Sequence, residues 1–258
     1  AGLTEVVTLG TTGAISVSAV DTVIGTTDTT DAVTLLATGA IKVSDIESVT
    51  GTGQSTDIVT LGGNGASVTV SDVATVLGST GTDTLTMGSA AVAVSAVESV
   101  VGSTATTDVL TLAGGGSVQT SDVETVLGAA GSVDTVTFED AGAHSVSSVE
   151  SVIGSTATTD ELTLLAAGSI SVTDVETVIG SGGVNTVTML TSATVALSDV
   201  ETLIGAAGTT DEVTLLAAGT VTLSGVESIT GSTGTDRVTL LGGGSVTVAG
   251  GANAVESL

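Results

Sequence analysis

Apolar and polar residues alternate along this chain in short bursts. "AVTL" (Ala32 to Leu35), "VTVS" (Val68 to Ser71) and "ETVIG" (Glu176 to Gly180) are typical. A period of two over three to five residues predicts half-buried β-strands. Gly, Ser and Asp bound these runs, as turns require. No stretch combines a 3.6-residue period with helix caps. The pattern predicts an all-β chain of many short strands.

The bursts recur as copies of one sentence. Gly25, Gly51, Gly78, Gly102, Gly128, Gly154, Gly180, Gly205 and Gly231 each close a short apolar unit, about 26 residues apart. An acid-hydroxyl-apolar triplet stands before each, such as Asp21-Thr22-Val23 and Glu47-Ser48-Val49; only Ala74 breaks the acid. A polar loop follows, then Asp31, Asp57, Asp83, Asp108, Asp134, Asp160, Asn185, Asp211 and Asp236, with Glu5 in this place in the first copy. An apolar-Thr-apolar strand comes next. A repeat of 20–50 residues predicts a solenoid, because one copy cannot bury its own apolar face. The expected fold is a parallel β-helix of about ten coils, one copy of about 26 residues and three short strands per coil. Residues 1–258 read as a single continuous solenoid repeat domain without evident caps.

Composition sharpens this. The 258 residues include no Cys, Pro, Trp or Tyr and a single Phe. The core must therefore be built of Val, Leu, Ile and Ala, and strands favour the branched ones. Lys42 and Arg237 stand against 28 acids, for a net charge of -26. Nucleic acid is excluded as a partner, since phosphate binding needs a positive footprint. The same charge disfavours anionic membranes, and no apolar run suggests membrane insertion. Absent cysteine excludes disulfides and thiolate metal sites. His144, alone among aliphatics, reads as a core histidine. With no copy standing out as a site, the chain does not read as an enzyme.

If one copy is one coil, every repeated residue becomes a column at about 4.8 Å spacing. Two like charges at that distance repel by about 0.9 kcal/mol in water. The Asp column must then be offset by turn amides or by cations, and hard oxygen ligands suit Ca²⁺. Asp31, Asp57, Asp83, Asp108, Asp134, Asp160, Asn185, Asp211 and Asp236 are the candidate Ca²⁺ ligands. The competing reading has these side chains capping their own turns. The Thr column would be complete, as an ice-binding face wants, but its outward neighbours would be Ala32, Thr84, Val109, Glu161, Glu212 and Arg237. Ice binding is accordingly a remote alternative.

"GSTGTDTLT" (Gly78 to Thr86) and "GSTGTDRVT" (Gly231 to Thr239) resemble the calcium-binding nonapeptide of RTX repeats. The style of the whole chain is similar to repeat regions of secreted bacterial adhesins and S-layer proteins. The resemblance implies secretion, Ca²⁺-assisted folding and a role at the cell surface. It places the calcium turns at Gly78, Gly81 and Asp83 and at Gly231, Gly234 and Asp236. Ser79 and Ser232 depart from the family's second Gly, and the nonapeptide comes once per copy rather than in tandem.

The chain begins and stops inside a copy. Two readings stand: the sequence is a slice of a longer protein, or Leu3, Val7 and Leu9 at one end and Val255 and Leu258 at the other are the assembly ends of a head-to-tail homopolymer. The expected function is an extracellular structural protein stacking into a filament, matrix or surface layer. The alternative is the stalk of a Ca²⁺-dependent adhesin, with cell-surface or matrix components as partners.

Overall fold

The computed structural model describes residues 4–257 except 106, 158, 192, 209, 242–246 and 251. All elements of the described residues are β-strands, paired in parallel. The expected parallel β-solenoid is what forms. The chain divides into two compact units, Ala1–Ser132 and Val133–Leu258.

In the first unit, successive strands alternate between two sheets. Val6–Thr8, Thr22–Ile24, Ala40–Ser44, Ile58–Leu61 and Thr75–Leu77 pair in this order in sheet A. Ala14–Val17, Ala32–Leu35, Ser48–Thr50, Ser67–Ser71 and Thr84–Met87 pair in sheet B. One coil therefore holds two strands, not three. Partners in successive coils lie 15 to 21 positions apart, as Thr84 with Ser99 and Ser48 with Thr69.

The sequence copy and the coil are thus different units. Each copy supplies three strands and each coil uses two, so two copies make three coils. The triplet strand Thr22–Ile24 lies in sheet A, its equivalent Ser48–Thr50 in sheet B, and the next, Thr75–Leu77, in sheet A again. The expected columns of identical residues do not form. Asp31 and Asp83 both enter sheet-B strands, with Asp57 entering a sheet-A strand between them. Three coils at about 4.8 Å separate Asp31 from Asp83. That is beyond the screening length of about 8 Å at physiological salt. The expected like-charge column is therefore absent.

The second unit follows the same rule. Ala143–Ser147, Glu161–Leu164, Thr177–Ile179, Thr194–Ser198, Glu212–Leu215 and Ser228–Thr230 build sheet A. Asp134–Phe138, Ser151–Ile153, Gly168–Thr173, Asn185–Met189, Thr202–Ile204 and Thr220–Ser224 build sheet B.

Alternation sends every second side chain inward, and the inward residues are aliphatic and small. Val23, Val33, Val49, Val59 and Val76 are almost wholly buried. A coil of two short strands leaves a thin core, which suits Val and leaves little room for rings. The one Phe shares its space with the one His: Phe138 and His144 stack with centroids 3.8 Å apart and an interplanar angle of 13°. His144 is the core histidine the sequence suggests, facing Phe138 across the coil and pairing with Leu162.

Corners close each coil. Asp45, Asp72, Ala96, Asp122, Ser148, Asp174 and Asp199 adopt φ between 51° and 57°. Asp tolerates this left-handed conformation better than most residues. The next residue, as Ile46, Val73 or Val97, plugs the corner of the core. The left-handed turn also presses its carbonyl against the glycine of the preceding coil. A Cβ on Gly25 would meet the Asp45 carbonyl oxygen, and one on Gly102 the Asp122 oxygen. This close approach is why glycine ends the triplet strand.

The two-to-three ratio makes a prediction. Deleting one copy, Thr26–Gly51, moves downstream strands to the opposite sheet but keeps every turn in phase. Deleting Thr26–Lys42, about one coil, keeps the sheets but removes Asp31 and orphans its partners. The first variant melts cooperatively near the parent temperature in circular dichroism. The second loses at least ~2 kcal/mol of stability, because each orphaned buried group costs about 1–3 kcal/mol. The reverse order would refute the phase assignment.

Candidate functional site

The repeated chemistry lies where the loop after each glycine meets the next strand. Asp31 is fully buried there. Its Oδ2 accepts the Thr26 amide at 2.6 Å and the Thr26 hydroxyl at 2.8 Å. Its Oδ1 accepts the Gly13 amide of the preceding coil at 2.8 Å. The Asp31 amide donates to Glu47 Oε2, in the following coil, at 2.8 Å. The Asp31 carbonyl accepts the amides of Glu47 and Ser48 in return. One Asp and one Glu therefore tie three successive coils at one edge.

The other copies repeat this latch. Asp83 takes the amides of Ser79 and Ala66, and its own amide donates to Glu98 at 2.8 Å. Asp108 takes the Ser103 amide and hydroxyl and donates to Glu124 at 2.7 Å. Asp160 takes Ser155 and the Gly142 amide and donates to Glu176 at 2.9 Å. Asp211 takes the amides of Ala206 and Ala193 and donates to Glu227 at 2.9 Å. The Asp134 amide donates to Glu150. Asp236 takes the Ser232 amide and hydroxyl. In the first copy the partners exchange residue types, and the Glu5 amide donates to Asp21 at 2.9 Å.

Two copies depart in instructive ways. Ala74 stands where Asp57 needs a glutamate, and the Asp57 amide turns instead to the Gln54 carbonyl within its own loop. Asn185 inverts the polarity of its turn. Its Nδ2 donates to the carbonyls of Ser181, Gly183 and Asp199, while its amide still donates to Glu201.

All nine proposed Ca²⁺ ligands, Asp31, Asp57, Asp83, Asp108, Asp134, Asp160, Asn185, Asp211 and Asp236, are buried. Within each unit they enter sheet-A and sheet-B strands in turn. No group of three acidic, His or Cys residues is placed to hold a metal ion among the described residues. In the two loops nearest the calcium nonapeptide, the Ser79 and Ser232 amides point at Asp83 and Asp236. A cation there would compete with these donors. Gly81 and Gly234 leave room for the preceding coil at Asn64 and Ala218.

Of the proposed assembly ends, Val7 pairs with Val23 in sheet A, and the Leu9 amide donates to the Ile24 carbonyl. Val255 pairs with Val238 in sheet B. Leu3 and Leu258 lie outside the described residues.

The glutamate's task escapes the sequence reading. The triplet acid looks like a surface charge, yet its Oε2 holds an amide a coil away. The signal was its constant spacing of about 16 residues from the Asp, one coil rather than one copy. Shallow surface hollows also lie among the described residues. One is a corner groove lined by Leu197, Asp199, Leu215 and Gly219, all of repeated types. No protein-family model matches the chain, nor does any curated protein or solved structure.

The amides also set the titration of Asp31 and Asp57. At Asp31 the Thr26 and Gly13 amides outweigh burial and hold the carboxyl below its ordinary value. At Asp57 burial pushes upward most strongly, but the Thr52 hydroxyl and amide with the Gly39 and Gln54 amides outweigh it together. A depressed folded pKa stabilises fully above the unfolded value, about 3.9, and that stability is lost as pH falls through the folded pKa. Thermal melts should be flat from pH 8 to about pH 5 and fall steeply below about pH 4. Replacing Asp57 with Asn should lower the plateau and flatten the acid limb. An unchanged acid limb would contradict the assignment.

Proposed function

We propose that the chain is a structural module of an extended extracellular array, a β-solenoid whose copies stack to build a filament, matrix or surface layer. One observation carries this reading. The same latch ties coil to coil in copy after copy, so the recurrent loop Asp, the triplet Glu, the loop hydroxyls and the strand-ending glycines serve the scaffold. Residues that an active site would set apart are here the residues of the scaffold. Such uniformity suits an object whose task is length and persistence.

Stacking draws support from the pairing rule. The latch returns to the same edge every three coils, so a coil from a second copy offers the same partners as the chain's own next coil. Strand addition of this kind is heterologous and does not close, which yields fibres. Secretion agrees with a chain of high net negative charge that resembles bacterial surface repeats. Ca²⁺ enters this reading as a neutralising ion for exposed corner acids such as Asp45, Asp72 and Asp122, with the buried carboxylates left to their amides.

Electron microscopy of the purified chain tests the proposal, in millimolar Ca²⁺ and after chelation. Long filaments or sheets support it, and their loss on chelation adds Ca²⁺ to the assembly. Isolated particles in both conditions would overturn self-stacking and favour an adhesin stalk.

A further inference from the structure

The acids of this chain avoid one surface. In the second unit, the outward residues of sheet B form two adjacent ranks. The register lines up Ser169, Thr186, Thr202 and Thr222 in one. Beside it run Ser171, Thr188, Ile204 and Ser224. Across these four strands neither rank holds a charge, in a protein of net charge -26. Beyond these strands the first rank continues through Thr239 to Glu256, whose carboxylate meets Arg237 at 2.8 Å. Sheet A of the same unit differs. Its outward ranks carry Glu161 and Glu212.

The expectation of a mixed, charged neighbouring rank came from equating copy with coil. The real register draws each rank from different places in the copy: the triplet strand, the Asp strand and the third strand in turn. It thereby sets Thr-x-Thr of Asn185–Met189 between Ser-x-Ser of Gly168–Thr173 and Thr-x-Ile of Thr202–Ile204, with Thr-x-Ser of Thr220–Ser224 one strand beyond.

A second observation concerns the hydroxyls themselves. Loop hydroxyls are spent on the latch, as Thr26, Thr52, Ser103 and Ser155 show. On sheet A, Thr194 and Ser198 reach Glu212 and Asp199. The seven hydroxyls of the sheet-B ranks make no side-chain hydrogen bond among the described residues. They are half-buried to exposed and face outward.

We infer that this face binds ordered water, and that its ligand is the surface of ice. Hydroxyls along a rank recur at about 4.8 Å. Water joined tetrahedrally by bonds of about 2.75 Å has second neighbours about 4.5 Å apart. A rank can therefore hold waters near lattice spacing, while the threonine methyls and Ile204 favour caged rather than strongly bound water. Charged groups would reorient that layer, and the face has none. Insoluble polysaccharide is the other flat neutral ligand, but recognition of sugar rings favours aromatic platforms, and this chain has no Trp or Tyr.

The test uses the whole chain. Slow growth of a single ice hemisphere from dilute solution measures partition into ice, and annealed thin films measure recrystallisation. The parent is enriched in the ice and keeps grains small. T186E with T222E, two coils apart on the face, is excluded from ice like an inert protein. A196E with T230E, on sheet A, retains parent behaviour. Circular dichroism checks folding, and T186L with T222L replaces the charged double variant should that one unfold. Exclusion of the parent from ice, equal loss in both double variants, or retention on cellulose and chitin without partition into ice would each overturn the inference.

Discussion

Everything in this solenoid depends on keeping a carboxylate buried at a coil edge. An ionised carboxyl taken out of water costs several kcal/mol unless donors surround it. Here the donors are backbone amides that the turn would otherwise leave orphaned. Asp31 takes amides from its own loop and from the coil before. Its own amide then needs an acceptor, which Glu47 brings from the coil after. The cost of burying the acid and the cost of the orphaned amides offset each other. Neither partner can be removed without exposing the other's deficit.

The latch also explains residues that look unrelated to it. Glycine ends the triplet strand because the next coil's corner carbonyl lies against it, with Asp31 Oδ2 close by at Gly25. Ser or Thr after that glycine supplies the hydroxyl and amide the carboxylate accepts. Left-handed corners recur at Asp45, Asp72 and Asp122 because only that turn brings the carbonyl round. The aliphatic core is nearly uniform and would not by itself choose between registers. The latch chooses, since a slipped coil would bury an unpaired carboxylate.

The solenoid was legible in the sequence, because period two within a copy and exact recurrence between copies leave few other folds. Coil length was not. Three strands per copy suggested three per coil, and only pairing such as Thr22 with Lys42 shows that a coil closes after two. An odd number of strands threaded through two sheets forces each motif to change face at every copy. That parity hides in a repeat search, which aligns copies and never coils. The spacing from Asp31 to Glu47 held the coil length, but a carboxylate and an amide leave no complementary letters to read. The same parity converts a strictly periodic sequence into faces of mixed origin, and in the second unit sheet A carries Glu161 and Glu212 while the four sheet-B strands from Gly168 to Ser224 carry no outward charge.

Native-state hydrogen exchange at the latch amides tests the central claim most directly. The amides of Asp31, Asp83 and Asp160 sit at the ends of polar loops, yet each donates to a glutamate of the next coil. They should exchange only with opening of the coil, as slowly as strand amides of the core, while the amide of Asp57 exchanges faster. Exchange of all four at the rate of exposed loops would contradict the latch as the interaction that holds the coils together.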